Sequence, residues 1–149
     1  MALVHDEVRK IERRLRYSAE SVFDTFPWPQ APTPRTVRAV ADAAVALRTL
    51  RHALMTQHGY SLRALYRTLD DPGTNPLRTA HAVLDTAVRA AYAFPAKADP
   101  LAALLALNQT CAAHEKAGEK ITPPGLPLPE PEHAAFVTED CIRIEEGNP

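Results

Sequence analysis

Apolar residues along this chain recur at helical spacing, and the breaks between them are marked by proline, glycine and capping side chains. Val4, Val8, Ile11 and Leu15, with arginine and lysine between them, predict an amphipathic helix over residues 2–16 with a basic outer face. Val37, Val40, Ala41, Ala44, Leu47, Leu50 and Leu54 predict the buried stripe of a long helix over about 34–58. Leu62, Leu65 and Tyr66 suit a short helix. Leu77, Ala80, His81, Leu84, Val88 and Tyr92 suit one over about 76–93. Leu101, Leu104, Leu105, Asn108, Cys111 and Ala112 suit a last one over about 100–117.

The starts of these segments share one signature. Thr33-Pro34, Asn75-Pro76 and Asp99-Pro100 each place a capping side chain before a proline. The cap accepts an otherwise unpaired N–H, and proline at the first helical position has none to leave unpaired. Ser61 can cap the short helix, Asp70-Asp71-Pro72-Gly73 reads as a turn, and Gly59 and Gly118 suit helix ends. Residues 19–30 differ. In Phe26-Pro27-Trp28-Pro29 each proline drives its predecessor towards extended backbone, which predicts a short extended segment laying Phe26 and Trp28 onto the helices as anchors. After Gly118 the run PPGLPLPEPE predicts an extended or disordered linker, from which Phe136, Val137, Ile142 and Ile144 suit a small strand or clip docking back.

The expected fold is therefore all-α: a small helical bundle with a short extended FPWP segment and a proline-rich, partly disordered C-terminal tail. Residues 1–30 form the connector, 31–118 the bundle and 119–149 the acidic tail. Composition agrees. The 149 residues are 46% hydrophobic with only five glycines, a balance that favours helices.

Charge narrows the functional classes. The net formal charge of −1 excludes a uniformly basic nucleic-acid binder. Residues 1–60 hold nine Lys/Arg against six Asp/Glu, a net of +3, whereas residues 119–149 hold two against seven, a net of −5. Phosphate contacts would therefore fall to the N-terminal part, with Arg9, Lys10, Arg13, Arg14 and Arg16. Cys111 and Cys141 lack CxxC spacing and read as free thiols of a reducing compartment. No run of 18 apolar residues and no leader-like N-terminal stretch occurs, so the expected location is cytoplasmic, without a membrane partner.

Catalytic motifs are missing. There is no glycine-rich phosphate loop, HExxH, GxSxG or GxxxxGK[ST], and the six histidines are dispersed. His52 and His58, six apart, do not share a helix face. His81 and Asp85, four apart, do, and read as a polar pair orienting the helix, since no nucleophile or oxyanion donor accompanies them. Tyr66 and Tyr92 read as core-edge residues. The expectation is a chain with no catalytic residues, metal or cofactor site of its own.

An ordered series of motifs adds a resemblance. Arg16-Tyr17-Ser18 is followed by VFDTFPWP at 22–29, SLRALY at 61–66, NPLRTAH at 75–81, and Leu84-Asp85, Ala87-Val88 and Tyr92. This order resembles the RYS, VYNTFPWP, SLADLY, PPxLRxAH and LDxAVxxAY segments of MmeI-like (type IIG/IIL) adenine-specific DNA methyltransferases, over roughly residues 11–117. The resemblance implies that residues 1–30 are the end of a target-recognition domain with its FPWP connector, joined to a C-terminal helical domain over 31–118. The activity implied is methyl transfer from S-adenosylmethionine to adenine N6 in a restriction–modification or phage-defence system. The family's NPPY-type tetrapeptide and cofactor motif have no counterpart here, so the implied role is a non-catalytic fragment or split subunit. Its implied partners are an upstream methyltransferase domain or subunit and, through that complex, double-stranded DNA.

The resemblance also implies base-reading side chains four and six residues before the serine of RYS, which are Arg14 and Glu12. Arg can pair with guanine O6/N7 and Glu can accept from cytosine N4. Arg13 and Arg16 would accompany them on DNA. A spacing of two puts Glu12 and Arg14 on one side of a strand and not of a helix, in conflict with the helical pattern over 2–16. The alternative reading is a stand-alone helical protein–protein interaction domain with no DNA role.

Overall fold

A computed structural model describes Phe23 and residues 25–138. The expectations for the helix at 2–16, for Glu12, Arg13, Arg14 and Arg16, and for Cys141, Ile142 and Ile144 lie outside those residues. The described regular structure is helical throughout. Helices α1 (Pro34–His58), α2 (Leu62–Arg67), α3 (Pro76–Ala91), α4 (Pro100–Lys116) and α5 (Glu130–His133) follow in order, with 3-10 turns at Thr68–Asp70 and Ala134–Phe136.

The helix starts are built as their sequence signature predicts. Thr33 Oγ1 accepts the Thr36 N–H at 3.2 Å, Ser61 Oγ that of Ala64 at 3.2 Å, Asn75 Oδ1 that of Leu77 at 2.9 Å and Asp99 Oδ2 that of Ala102 at 3.2 Å. Each such cap contributes about 1 kcal/mol. The three long helices also share one ending. An N–H returns to the carbonyl five residues back, from Tyr60 to Met55, Phe94 to Arg89 and Glu119 to His114. This closure needs a left-handed residue just before the returning N–H. Gly59 and Gly118 supply it for α1 and α4, but α3 uses Ala93, at φ 54°.

Leu47 of α1, Leu65 of α2 and Leu77 of α3 form the core, with Leu65 only 2% and Leu77 0% exposed. Leu54, Met55, Tyr66, Leu69, Ala80 and Leu84 pack around them. Val40, early in α1, lines one groove with Val88 and Tyr92, late in α3, while Leu47, further along α1, packs with Leu77 at the start of α3, so the two long helices run antiparallel. The α1 stripe needs one adjustment: Ala43 is buried and Ala44 faces solvent.

The bundle requires a larger correction at α4. Helix α4 does not lie along α1 or α3 as a third stave; it is coupled to them through the FPWP segment. Leu104, Leu107 and Cys111 turn inward, while the expected core residues Leu101 and Leu105 are 76% and 60% exposed. Asn108 and Ala112 are exposed as well. The reason is that α4 is rich in Ala and Leu on every side, so periodicity cannot choose its buried face.

A second correction concerns the segment after Gly118. It is extended from Glu119 to Pro129, as expected, but it is docked. Thr122 N–H donates to Gln30 Oε1 at 2.8 Å, and Thr122 Oγ1 donates to the Gln30 carbonyl at 3.0 Å. Phe136 then lies under the Arg38 guanidinium, 5.2 Å away, on α1. Within the described residues Phe136 and Val137 form no strand; Phe136 ends a 3-10 turn. Residues 119–136 therefore clip onto the bundle as a strap.

Candidate functional site

The FPWP segment is the hub of the molecule. Pro27 is buried, Trp28 is half-buried, and Phe26 is 40% exposed. The Trp28 ring meets Phe23 edge-on at 5.4 Å and Phe26 at 5.5 Å. The Tyr92 hydroxyl, at the end of α3, donates to the Pro27 carbonyl at 3.1 Å, and burial pushes its phenol pKa upward. Gln30 Nε2 donates to the Trp28 carbonyl at 2.8 Å. Prolines 27 and 29 cannot donate to a helix or a sheet, which leaves these carbonyls open to side-chain donors.

Two hollows flank this segment. A groove of about 620 Å³ lies between it, α1, α3 and α4, walled by Phe26, Trp28, Val40, Tyr92, Phe94 and Leu104. Its lining is mainly apolar and includes Asp85 and Arg89. A smaller hollow of about 230 Å³ lies on the other side, between Trp28, α4 and the Ile121–Pro124 strap. The Trp28 indole N–H is buried and has no acceptor among the described residues. An unpaired buried donor costs about 1–3 kcal/mol, which makes it the least satisfied polar group of the hub.

A second polar cluster joins α1, α2 and α3. Tyr66 Oη and His81 Nε2 are hydrogen-bonded at 2.9 Å, with their rings edge-on, and Arg51 Nη1 donates to Tyr66 Oη at 3.5 Å. The expected His81–Asp85 pair is not made; Asp85 is exposed, and His81 serves the half-buried phenol of Tyr66 instead. His81 is half-buried, with its imidazole taken by the Tyr66 hydroxyl of α2, while Asp85 one turn further on faces solvent.

Two arginines with structural roles were not evident in the hydrophobic pattern. Arg78 donates to the carbonyls of Gly73, Leu69 and Asp71, and Arg89 to those of Pro95, Ala96 and Ala98. Each closes the loop beside one end of α3. The available signal was an arginine within reach of a Pro/Gly or Pro/Ala loop whose carbonyls have no ladder partners.

The residues available for chemistry are few. Cys111 is buried, and its thiol pKa is raised by burial and then by the nearby Glu115 carboxylate, the reverse of an activated cysteine. His114 pairs with Glu119 at the end of α4, on the surface. No three His, Cys, Asp or Glu side chains converge among the described residues, and no described helix is long and apolar enough to cross a membrane. Compared with protein families, with curated proteins and with solved structures, the chain matches none.

Proposed function

We propose that this chain is a non-catalytic C-terminal module, as fragment or split subunit, of a site-specific adenine-N6 DNA methyltransferase of a restriction–modification or phage-defence system, contributing to DNA recognition. The observation that carries the reading is the ordered motif series from Arg16 to Tyr92. The described members of that series are also the residues that meet in the fold. Pro27 and Tyr92 are joined by a hydrogen bond, Tyr66 and His81 by another, and Leu65 and Leu77 share the core. Widely separated motifs that depend on one another in space are what a shared domain would retain.

Helix α4 adds support from a different direction. The first two turns of α4 carry Ala and Leu all round, a composition ordinarily buried, yet Leu101 and Leu105 stand in solvent. That face suits a chain that completes a larger body, here the upstream methyltransferase domain or subunit. S-adenosylmethionine and the flipped adenine belong to that partner, and Glu12, Arg13, Arg14 and Arg16 are the DNA contacts assigned to this chain. Calorimetry with S-adenosylmethionine tests the division of labour. The chain alone is expected to show no binding, and saturable micromolar binding would overturn the assignment.

The stand-alone interaction domain remains the second reading, favoured by the apolar groove beside Trp28. A mainly apolar groove walled by aromatic rings suits the apolar side chains of an extended peptide.

A further inference from the structure

We infer that, in this chain by itself, residues 2–16 pack as a helix along the outer side of α4, with Val4, Val8, Ile11 and Leu15 set against the stripe that Leu101 and Leu105 begin. The first ground is that stripe. Leu101, Leu105, Asn108 and Ala112 recur at intervals of four, three and four, which lines them up along one side of α4, and all four are exposed. From Pro100 to Ala113 the helix carries no charged residue, and only Asn108 interrupts the apolar stripe. The second ground is the spacing of the segment. Val4, Val8, Ile11 and Leu15 recur at the same intervals of four, three and four. That series reads the same in both directions, so the two stripes match whether the helices run parallel or antiparallel. A helix of this length is marginal in water by itself and needs a surface for its apolar side. Arg9, Lys10 and Arg13 fall on its opposite side, away from the uncharged face of α4.

The third ground is where the chain enters. Thr25 and Phe26 line the smaller hollow together with Asn108, Ala112 and Glu115. The N-terminal part of the chain therefore arrives at α4 on the side that carries the stripe, beside its Asn108–Ala112 half. The ten residues from Leu15 to Thr25 can span up to about 33 Å, whereas the helix between Leu101 and Ala112 is about 16 Å long. The segment can thus reach the whole stripe. This contact also bears on the upstream partner, to which the same face is offered: segment and partner compete for it. As a helix, residues 2–16 turn Glu12 and Arg14 to different sides, and once displaced and extended they bring both to one. Only this exchange rests on the methyltransferase reading; the contact itself does not.

Hydrogen–deuterium exchange of the full chain, read by mass spectrometry, tests the contact. Amides of residues 4–15 are expected to exchange at least about ten-fold more slowly than those of an unstructured chain. Leu101→Glu/Leu105→Glu is expected to return them to the unstructured rate while the amides of α1 and α3 keep theirs, because both leucines are exposed and the core does not use them. Leu101→Met/Leu105→Met is expected to preserve the protection. Val8→Glu/Ile11→Glu, which leaves the α1–α3 core untouched, is expected to speed exchange over residues 101–112. Unstructured rates over 4–15 in the parent chain overturn the contact, and so does protection that the glutamate pair at 101 and 105 leaves intact. Protection that rises with protein concentration, together with a dimer mass in sedimentation, overturns it in favour of a second copy on this face. The methyltransferase reading fails on a different result, an upstream polypeptide whose activity and site preference do not change when this chain is added.

Discussion

Single residues carry most of the cost and most of the opportunity in this small fold. Ala93 holds the left-handed position that ends α3, where α1 and α4 use glycine. That conformation costs an L-residue about 1–2 kcal/mol, and glycine at the same site gives back part of the gain through its freer unfolded state. Ala93→Gly should therefore stabilise the chain by about 0.5 kcal/mol, read as a rise in thermal midpoint of about 1–2 °C. A fall would show that the Ala93 methyl packs usefully. Trp28→Ala should cost about 2–4 kcal/mol, because the ring is half-buried and touches Phe23 and Phe26 edge-on. Cys111 gives a pH prediction. Its folded pKa lies above the ordinary thiol value of about 8.5, so the unfolded chain loses its proton first as pH rises. Stability should then be fully present below about pH 8.5 and decline above it, and the Cys111→Ala variant should show a shallower decline in chemical denaturation. An identical pH dependence in the two proteins would show that Cys111 does not titrate differently on unfolding.

Elements show where the sequence is informative and where it stops being so. Helix boundaries are legible because their signals are local. A Thr, Asn or Asp before proline fixes the starts of the three long helices, and a glycine fixes the ends of α1 and α4, whereas α3 ends at Ala93 without one. The inward face of α3 is legible too, since its apolar residues recur strongly at helical period. The face of α4 is not, because alanine and leucine surround the helix and leave no polar side to define the outside. Nor does the strap declare itself: Gln30 and Thr122 are 92 residues apart, and no local pattern announces their pairing. That pairing sets a prediction for the element. Removing residues 119–149 should destabilise the bundle by about 2–3 kcal/mol, from the lost Gln30–Thr122 bonds, the Phe136–Arg38 contact and the exposure of Cys111. A double-mutant cycle of Gln30→Ala and Thr122→Val should show strong non-additivity. If truncation leaves the denaturation midpoint unchanged, the strap is not part of the folded unit.

At the scale of the whole molecule, the proposed role is to lend a recognition surface and a helical support to an upstream methyltransferase. The proposed DNA contacts, Glu12, Arg13, Arg14 and Arg16, rest on the motif series alone and lie outside the described residues, because neither charge nor periodicity distinguishes a base contact from a solvated arginine. Replacing Glu12 and Arg14 together in a reconstituted enzyme should change the preferred base at one position, at about 1–3 kcal/mol. The most direct test comes before that substitution. The chain is combined with the polypeptide encoded by the adjacent upstream frame, and adenine-N6 methylation of a randomised duplex library is measured for each component and for the pair. The account predicts no methylation by this chain alone and sequence-specific methylation by the pair that the upstream polypeptide does not achieve by itself. Methylation by this chain alone, or an upstream activity and site preference unaffected by adding it, would contradict the account.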